Sequence, residues 1–390
     1  MATIKDYLCW RGDLTFDERP FNDVDNLVLS TLSYLDFTGI VPTEEQGDCV
    51  DLAAACNKLL KRANGNIEPY VRSLAKVDEE FVRLVAQSRR FASSVACAYA
   101  DVIDESKALQ FSAMQFDLPD AGSYIAFRGT DLSIVGWREN FMLCFTITEA
   151  QQEAARYLQR AIGRIPDGTS IWVGGHSKGG NLAEYAIIKC PPELRGRVAC
   201  TYSNDGPGFS SDVLGEMERE AAHELVRHIV PTYSIVGMLY YSSADKRVVV
   251  SSGATGIEQH DITTWRITPT GLDEAADLLP ECMVLNEAIA SWVEEVPLNE
   301  REGIVDQVFD AFEAGGATTF DEIASTPEGL QHVVRALAAT DERTHEVAYA
   351  LTQMALGSSV EAVRIAAHRL INDMGKRLFA HSKVRARLGR

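Results

Sequence analysis

Apolar positions recur along this chain first at helical spacing, then in alternation, then at helical spacing again. In residues 24–35, Leu27, Leu32 and Leu35 recur at mixed helical spacing, and Asn22 or Asp23 can cap the segment by accepting from first-turn amides. Phe81, Leu84, Val85, Phe91, Val95 and Tyr99 mark an apolar side over residues 77–104 and predict one long helix there. The period then falls to two. Leu109, Phe111, Ala113 and Gln115 alternate with polar or small neighbours, residues 118–122 make a turn, and 124–127 are an apolar run. That order predicts a hairpin leading into a buried strand. A helix over 149–162, a strand over 170–173, a helix over 181–189 and a strand over 198–203 follow. Strands alternating with helices at this pitch predict an α/β fold with a mostly parallel sheet covered on both faces.

Beyond residue 268 the strand signals stop. Cys282, Leu285, Ile289, Trp292 and Val296 predict an amphipathic helix, and Ile304, Val305, Val308 and Phe309 a second, with Phe312 one turn on. Thr326-Pro327 reads as a cap followed by proline at the first helical position, and Gly357-Ser358-Ser359 as a break between the last two helices. The expected organisation is a mostly helical N-terminal extension packed on the core (residues 1–76), an α/β core (77–267) and a C-terminal helical region with a basic tail (268–390). Arg11-Gly12-Asp13 reads as a turn, and no internal repeat is evident.

The chain has 390 residues, 46% of them hydrophobic, enough to bury a sizeable core, which excludes collagen-like, disulfide-stapled and wholly disordered classes. No window approaches the roughly 18 consecutive apolar residues of a membrane span. The start, Met-Ala-Thr-Ile-Lys5-Asp6-Tyr7, lacks the basic-then-apolar layout of a secretory signal, so a cytoplasmic, soluble protein is expected. Lys and Arg number 37 against 56 Asp and Glu, a net charge of −19. Phosphate neutralisation needs the opposite balance, so no nucleic-acid partner is expected. Residues 376–390 are the exception: Lys376, Arg377, Lys383, Arg385, Arg387 and Arg390 with no acid, which leaves the remainder at −25. Such a tail can end a helix favourably against its macrodipole or touch an anionic lipid surface. The expectation is membrane contact that is at most weak, peripheral and salt-sensitive. Cys9, Cys49, Cys56, Cys97, Cys144, Cys190, Cys200 and Cys282 include no C-x-x-C pair, and the histidines are equally dispersed. Reduced core cysteines are expected, with no metal site of the usual spacing and no cofactor.

The sharpest chemical signal is Gly175-His176-Ser177-Lys178-Gly179, a G-x-S-x-G pattern between an apolar strand and a helix. A serine nucleophile must project from a strained strand-to-helix turn, and flanking glycines let backbone crowd there without Cβ clashes. The backbone N–H after it, that of Lys178, then faces the reacting carbonyl oxygen. A serine hydroxyl needs a base. His176 is adjacent, but neighbouring side chains diverge on a sharp turn, so it is expected to pack beneath the elbow. With the chain order Ser, acid, His, the base comes later. His223 and His228 fall in or beside a helical stretch after Asp212, whereas His260 lies in a loop after the strand over 247–251. His260 is the favoured base. For the acid, Asp205 ends the strand after the nucleophile helix, Asp245 sits in an expected hairpin tip, and Asp261 neighbours the base and should point elsewhere. Asp205 is favoured, to hold the imidazole tautomer; as a turn residue it could instead bond its own backbone.

Phe127-Arg128-Gly129-Thr130-Asp131 with Trp137 a few residues on, then Gly-His-Ser-Lys-Gly-Gly-Asn-Leu-Ala from Gly175, resembles the class 3 lipases. Asp6-Tyr7-Leu8, Trp10-Arg11-Gly12-Asp13, Asp25-Asn26-Leu27, Leu32-Ser33-Tyr34-Leu35, Asn204-Asp205-Gly206-Pro207-Gly208-Phe209 and Gln259-His260-Asp261 with Trp265 are similar to a bacterial branch of that superfamily. The resemblance spans about residues 4–295. It implies an α/β-hydrolase (class 3 lipase-like) sheet, Ser177 as nucleophile, His260 as base, and Thr130 as the second oxyanion donor. Two departures stand out. Class 3 lipases usually carry the acid on the strand after the one ending at Asp205, where this chain has Ser234. Lys178 also stands where lipases commonly carry leucine. The resulting expectation is a serine hydrolase of esters or thioesters, with a small acyl ester or a lipid as substrate. The alternative is a catalytically inactive scaffold of the same fold.

Overall fold

The computed structural model describes residues 1–316 apart from 74, 105–108, 131–133, 144, 235, 254–256, 281 and 283–295. Residues 283–295 of the helix expected from Cys282 to Val296, the features at Thr326 and Gly357 and the basic tail lie outside the described residues, as do Asp131 and the side chain of Trp137. The helices are α1 (Ile4–Arg11), α2 (Asp23–Leu32), α3 (Leu52–Ala63), α4 (Glu79–Gln87), α5 (Ile134–Met142), α6 (Glu149–Arg164), α7 (Lys178–Ile188), α8 (Pro192–Arg195), α9 (Glu216–Glu220), α10 (Ile257–His260) and α11 (Leu298–Glu313). The strands are β1 (Cys49–Asp51), β2 (Val95–Asp104), β3 (Leu109–Leu118), β4 (Gly122–Phe127), β5 (Ile171–His176), β6 (Val198–Asn204), β7 (Val226–Pro231) and β8 (Lys246–Val249), with a short ladder of β9 (Ile267–Thr268) and β10 (Gly271–Leu272).

The eight main strands lie side by side in chain order. From β4 to β8 they run parallel, and β1 to β3 extend the sheet antiparallel at one edge. Alternation along β4 serves both faces. Tyr124 and Ala126 join a core with α1 to α4, including Val24, Leu27, Leu59 and Phe81. Ile125 and Phe127 join a second core with Tyr157, Leu158, Leu182 and Ala186 of α6 and α7. The first 76 residues thus supply one covering layer of the sheet rather than a core of their own. In α11, Ile304, Val305, Val308, Phe309 and Phe312 are buried, matching the expected helix.

One sequence expectation fails here. Residues 77–104 are a short helix, a turn and a strand, not a long helix. Asp78 caps α4 by accepting from Phe81 N at 2.9 Å. The helix then ends at Ser88, whose Oγ accepts from Arg90 N and Phe91 N and donates to Gly12 O at 3.2 Å. In β2 the small residues Ala96, Cys97 and Ala98 bury on both faces, so no alternation shows, and pairing with β1 and β3 decides the state. Two smaller corrections follow from the parallel pairing of β7 and β8: residues 232–245 are a crossover rather than a hairpin, and His228 sits within β7. Asp245 is nevertheless exposed, as expected.

Candidate active site

β5 runs directly into α7 through Ser177, which holds φ +58° and ψ −130°, a conformation L-residues rarely adopt. The crowding that glycine permits here is concrete. A Cβ on Gly175 would stand 2.4 Å from the Gly179 carbonyl carbon, and one on Gly179 would stand 2.2 Å from Phe127 O. Ser177 N donates to Asn204 O at 2.9 Å, so the elbow is stitched to the end of β6. Behind it Asn26 and Asn204 exchange reciprocal amide bonds at 2.9 and 3.0 Å, and Asn204 Nδ2 also donates to Gly175 O at 2.9 Å. These buried amides explain the Asp25-Asn26-Leu27 element of α2.

Asp205 follows β6 with φ +46° and is fully buried. Its Oδ2 accepts from Nδ1 of His260 at 2.6 Å, and its Oδ1 accepts from Ser234 Oγ and from Gly237 N at 3.1 Å. Ser234, at the position where lipases usually place the acid, thus orients the carboxylate one strand away. His260 closes α10, held by its neighbours. Gln259 Oε1 accepts from Thr232 Oγ1 and Tyr233 N, both at 2.9 Å, and Gln259 O accepts from Trp265 Nε1. Asp261 accepts from Lys76 N and caps Thr263, so it faces away from the histidine ring.

With Nδ1 of His260 donating to Asp205, Nε2 is the atom open to a proton. Among the described residues Ser177 Oγ makes no hydrogen bond. Ser177, His260 and Thr130 are 6%, 4% and 6% exposed, so all three side chains are sheltered from solvent. Thr130 leaves the end of β4 at the same sheet edge, since Phe127 pairs with Gly175. Lys178 begins α7, which places its backbone N–H in the first turn of that helix, directly after the elbow. Its side chain is buried, with Nζ donating to Gln110 O at 2.7 Å and to Glu139 of α5 at 2.5 Å. Arg138 pairs in turn with Asp306 on α11. His223 and His228 bond the carbonyls of Ser243 and Gly237, away from the elbow.

His176 lies beneath the elbow. Nε2 must donate to His260 O at 2.7 Å, because a carbonyl only accepts, and Nδ1 therefore accepts from Tyr34 OH at 2.7 Å. Burial, followed by the nearby His260, pushes its pKa well below the usual imidazole value, so the ring is neutral. The unfolded chain takes up this proton near pH 6.5 and the folded protein does not, so stability is lost as pH falls below that point. Relative to His176→Gln, the wild type should lose up to about 1.4 kcal/mol for each pH unit below about 6.5, read from urea midpoints across a pH series. A constant difference between the two proteins would refute a neutral buried His176. Tyr34 has no part assigned from the sequence, and Ser234 stands out there only for replacing the expected acid; the tertiary contacts show what each touches.

The fold and these contacts define an α/β protein with a serine at a strained strand-to-helix elbow and a buried histidine–aspartate pair at the same sheet edge. The chain belongs to the Mbeg1-like family, whose model matches residues 85–310. Among solved structures it is similar to M37 lipase, at 17% identity and a TM-score of 0.34, over 55% of this chain and 69% of that one. A comparison with curated proteins finds no match. No helix among the described residues is long and apolar enough to cross a membrane.

Proposed function

We propose that this protein is a serine hydrolase that cleaves a carboxylic ester or thioester through an acyl-enzyme. Ser177 Oγ attacks the carbonyl carbon while His260 Nε2 takes its proton. The oxyanion is held by the backbone N–H groups of Lys178 and Thr130. The leaving alcohol or thiol departs with the proton from His260, and a water, deprotonated by the same ring, releases the acid and restores Ser177. Asp205 fixes the His260 tautomer and stabilises the imidazolium. The observation that carries this reading is the strained Ser177 at the elbow together with the 2.6 Å His260–Asp205 bond at the same sheet edge.

A small acyl ester or a lipid is the proposed substrate class. Fluorophosphonate labelling tests the chemistry, because the reagent needs an activated serine. One adduct per chain is expected, mapped by mass spectrometry to the peptide containing Ser177. Absence of an adduct would leave the fold as a binding scaffold, and an adduct at another serine would reject Ser177 as the nucleophile.

A further inference from the structure

Away from the elbow, strand register assembles a second group of reactive side chains. We propose that Cys49, Cys97 and Asp117 form a binding site for a thiophilic divalent cation of the zinc class, at the sheet edge opposite Ser177. Cys49 and Cys97 face each other directly across β1 and β2. Cys97 pairs with Gln115 on β3, which makes Asp117 its diagonal neighbour on the same face. One sulfur or carboxylate oxygen from each residue lies within 4.8 Å of the other two, and Cys97 Sγ is 3.9 Å from Asp117 Oδ2. Tetrahedral zinc, with sulfur at about 2.3 Å and oxygen at about 2.0–2.2 Å, sets ligand atoms about 3.5–3.8 Å apart. Closing on the ion therefore needs side-chain shifts of about 1 Å or less.

The carboxylate is already aimed. Asp117 Oδ1 accepts from Gln115 Nε2 at 2.8 Å and Ser123 Oγ at 2.6 Å, which turns Oδ2 to the sulfur. Outer hydrogen bonds of this kind orient metal ligands. Access is open, because Cys49 is exposed and a cleft of about 490 Å³ lined by Gln115, Asp117, Ser123 and Arg164 adjoins the site. Three protein ligands leave the fourth tetrahedral position to water. Directly opposed cysteines can also form a disulfide, but a carboxylate oxygen held against the sulfur serves no purpose there. Residues 49, 97 and 117 fit no spacing motif, which is why the cysteine count alone predicted no metal.

Cobalt(II) titration of the reduced, metal-stripped full chain tests the proposal. The expected result is one Co²⁺ per chain with a near-ultraviolet thiolate-to-cobalt band, displaced by Zn²⁺ and lost in Cys49→Ser. Cys49 is exposed, so that variant should keep the wild-type circular dichroism even if Cys97→Ser does not fold. Asp117→Asn should keep the sulfur band but weaken affinity by about tenfold or more. A cobalt spectrum without the sulfur band, or one unchanged in Cys49→Ser, would overturn the site. So would a reduced protein that takes up no Co²⁺ yet forms a Cys49–Cys97 disulfide with diamide, which would make the pair a redox couple.

Discussion

Asp205→Asn should lower ester turnover by about 10⁴-fold with little change in KM, the scale seen when the corresponding aspartate of a serine protease triad is amidated. The contacts of Asp205 dictate how the amide would sit. Oδ1 accepts from Ser234 Oγ and Gly237 N, so the asparagine oxygen would take that side and keep both donors satisfied. The NH₂ group would then face His260 Nδ1, which now accepts the hydrogen bond from Asp205 Oδ2's replacement instead of donating to it. The imidazole proton would move to Nε2, the atom that must receive the serine proton. The loss therefore falls on kcat and should approach the floor set by Ser177→Ala, and the double variant should be little worse than either alone, because the groups act as a unit. Asp245→Asn, at an exposed loop position, should turn over ester like the wild type. A loss under tenfold in Asp205→Asn, or a large loss in Asp245→Asn, would reject the assignment of the acid.

Much of where these candidate residues stand in the fold is legible in the chain, for local reasons. G-x-S-x-G between a strand and a helix is a backbone constraint, and Gly175 and Gly179 do stand where a Cβ would meet backbone atoms within 2.5 Å. Asp205 was legible because a parallel sheet brings the ends of neighbouring strands to one edge, and β5 and β6 pair in register as far as His176 and Asn204. What could not be read depends on packing across the sheet. The apolar spacing of residues 77–104 suits a helix until Ser88 diverts the backbone, and the small residues of β2 carry no period. The Ser234–Asp205 and Tyr34–His176 contacts join residues 29 and 142 positions apart, with only tertiary structure to connect them. The cysteines of β1 and β2 become neighbours through strand register alone.

The same dependence on long-range contacts locates the largest expected stability effect, at the ion pair of Asp25 and Arg90. Both side chains are 0% exposed. Arg90 Nε and Nη2 grip the two carboxylate oxygens at 2.7 and 2.6 Å, while Nη1 donates to Thr15 O at 3.2 Å and Arg19 O at 3.0 Å. The guanidinium also lies 4.1 Å from the centre of the Phe16 ring. Burial alone would lower the Arg90 pKa, but the hydrogen bonds and charge of Asp25 outweigh it and leave it raised, so the cation persists at every pH the fold survives. Asp25→Ala would strand that cation in the core, at a cost of about 3–5 kcal/mol, against total stabilities of about 5–15 kcal/mol. Burial pushes the Asp25 pKa up even beside Arg90, so in Arg90→Met the lone carboxyl escapes its charge only by taking up a proton, and the loop carbonyls lose their donor. That variant should also be strongly destabilised, and the double variant should lose less than the two single losses combined, because no unpaired charge remains. Urea midpoints for the four proteins measure this. Strict additivity would mean that the two groups act separately. Because Asn26, next to Asp25, braces Asn204 behind the elbow, ester turnover per folded molecule gives a second reading. It should stay within a few-fold of wild type in every protein that remains folded, whereas Asp205→Asn should lose turnover while keeping its midpoint.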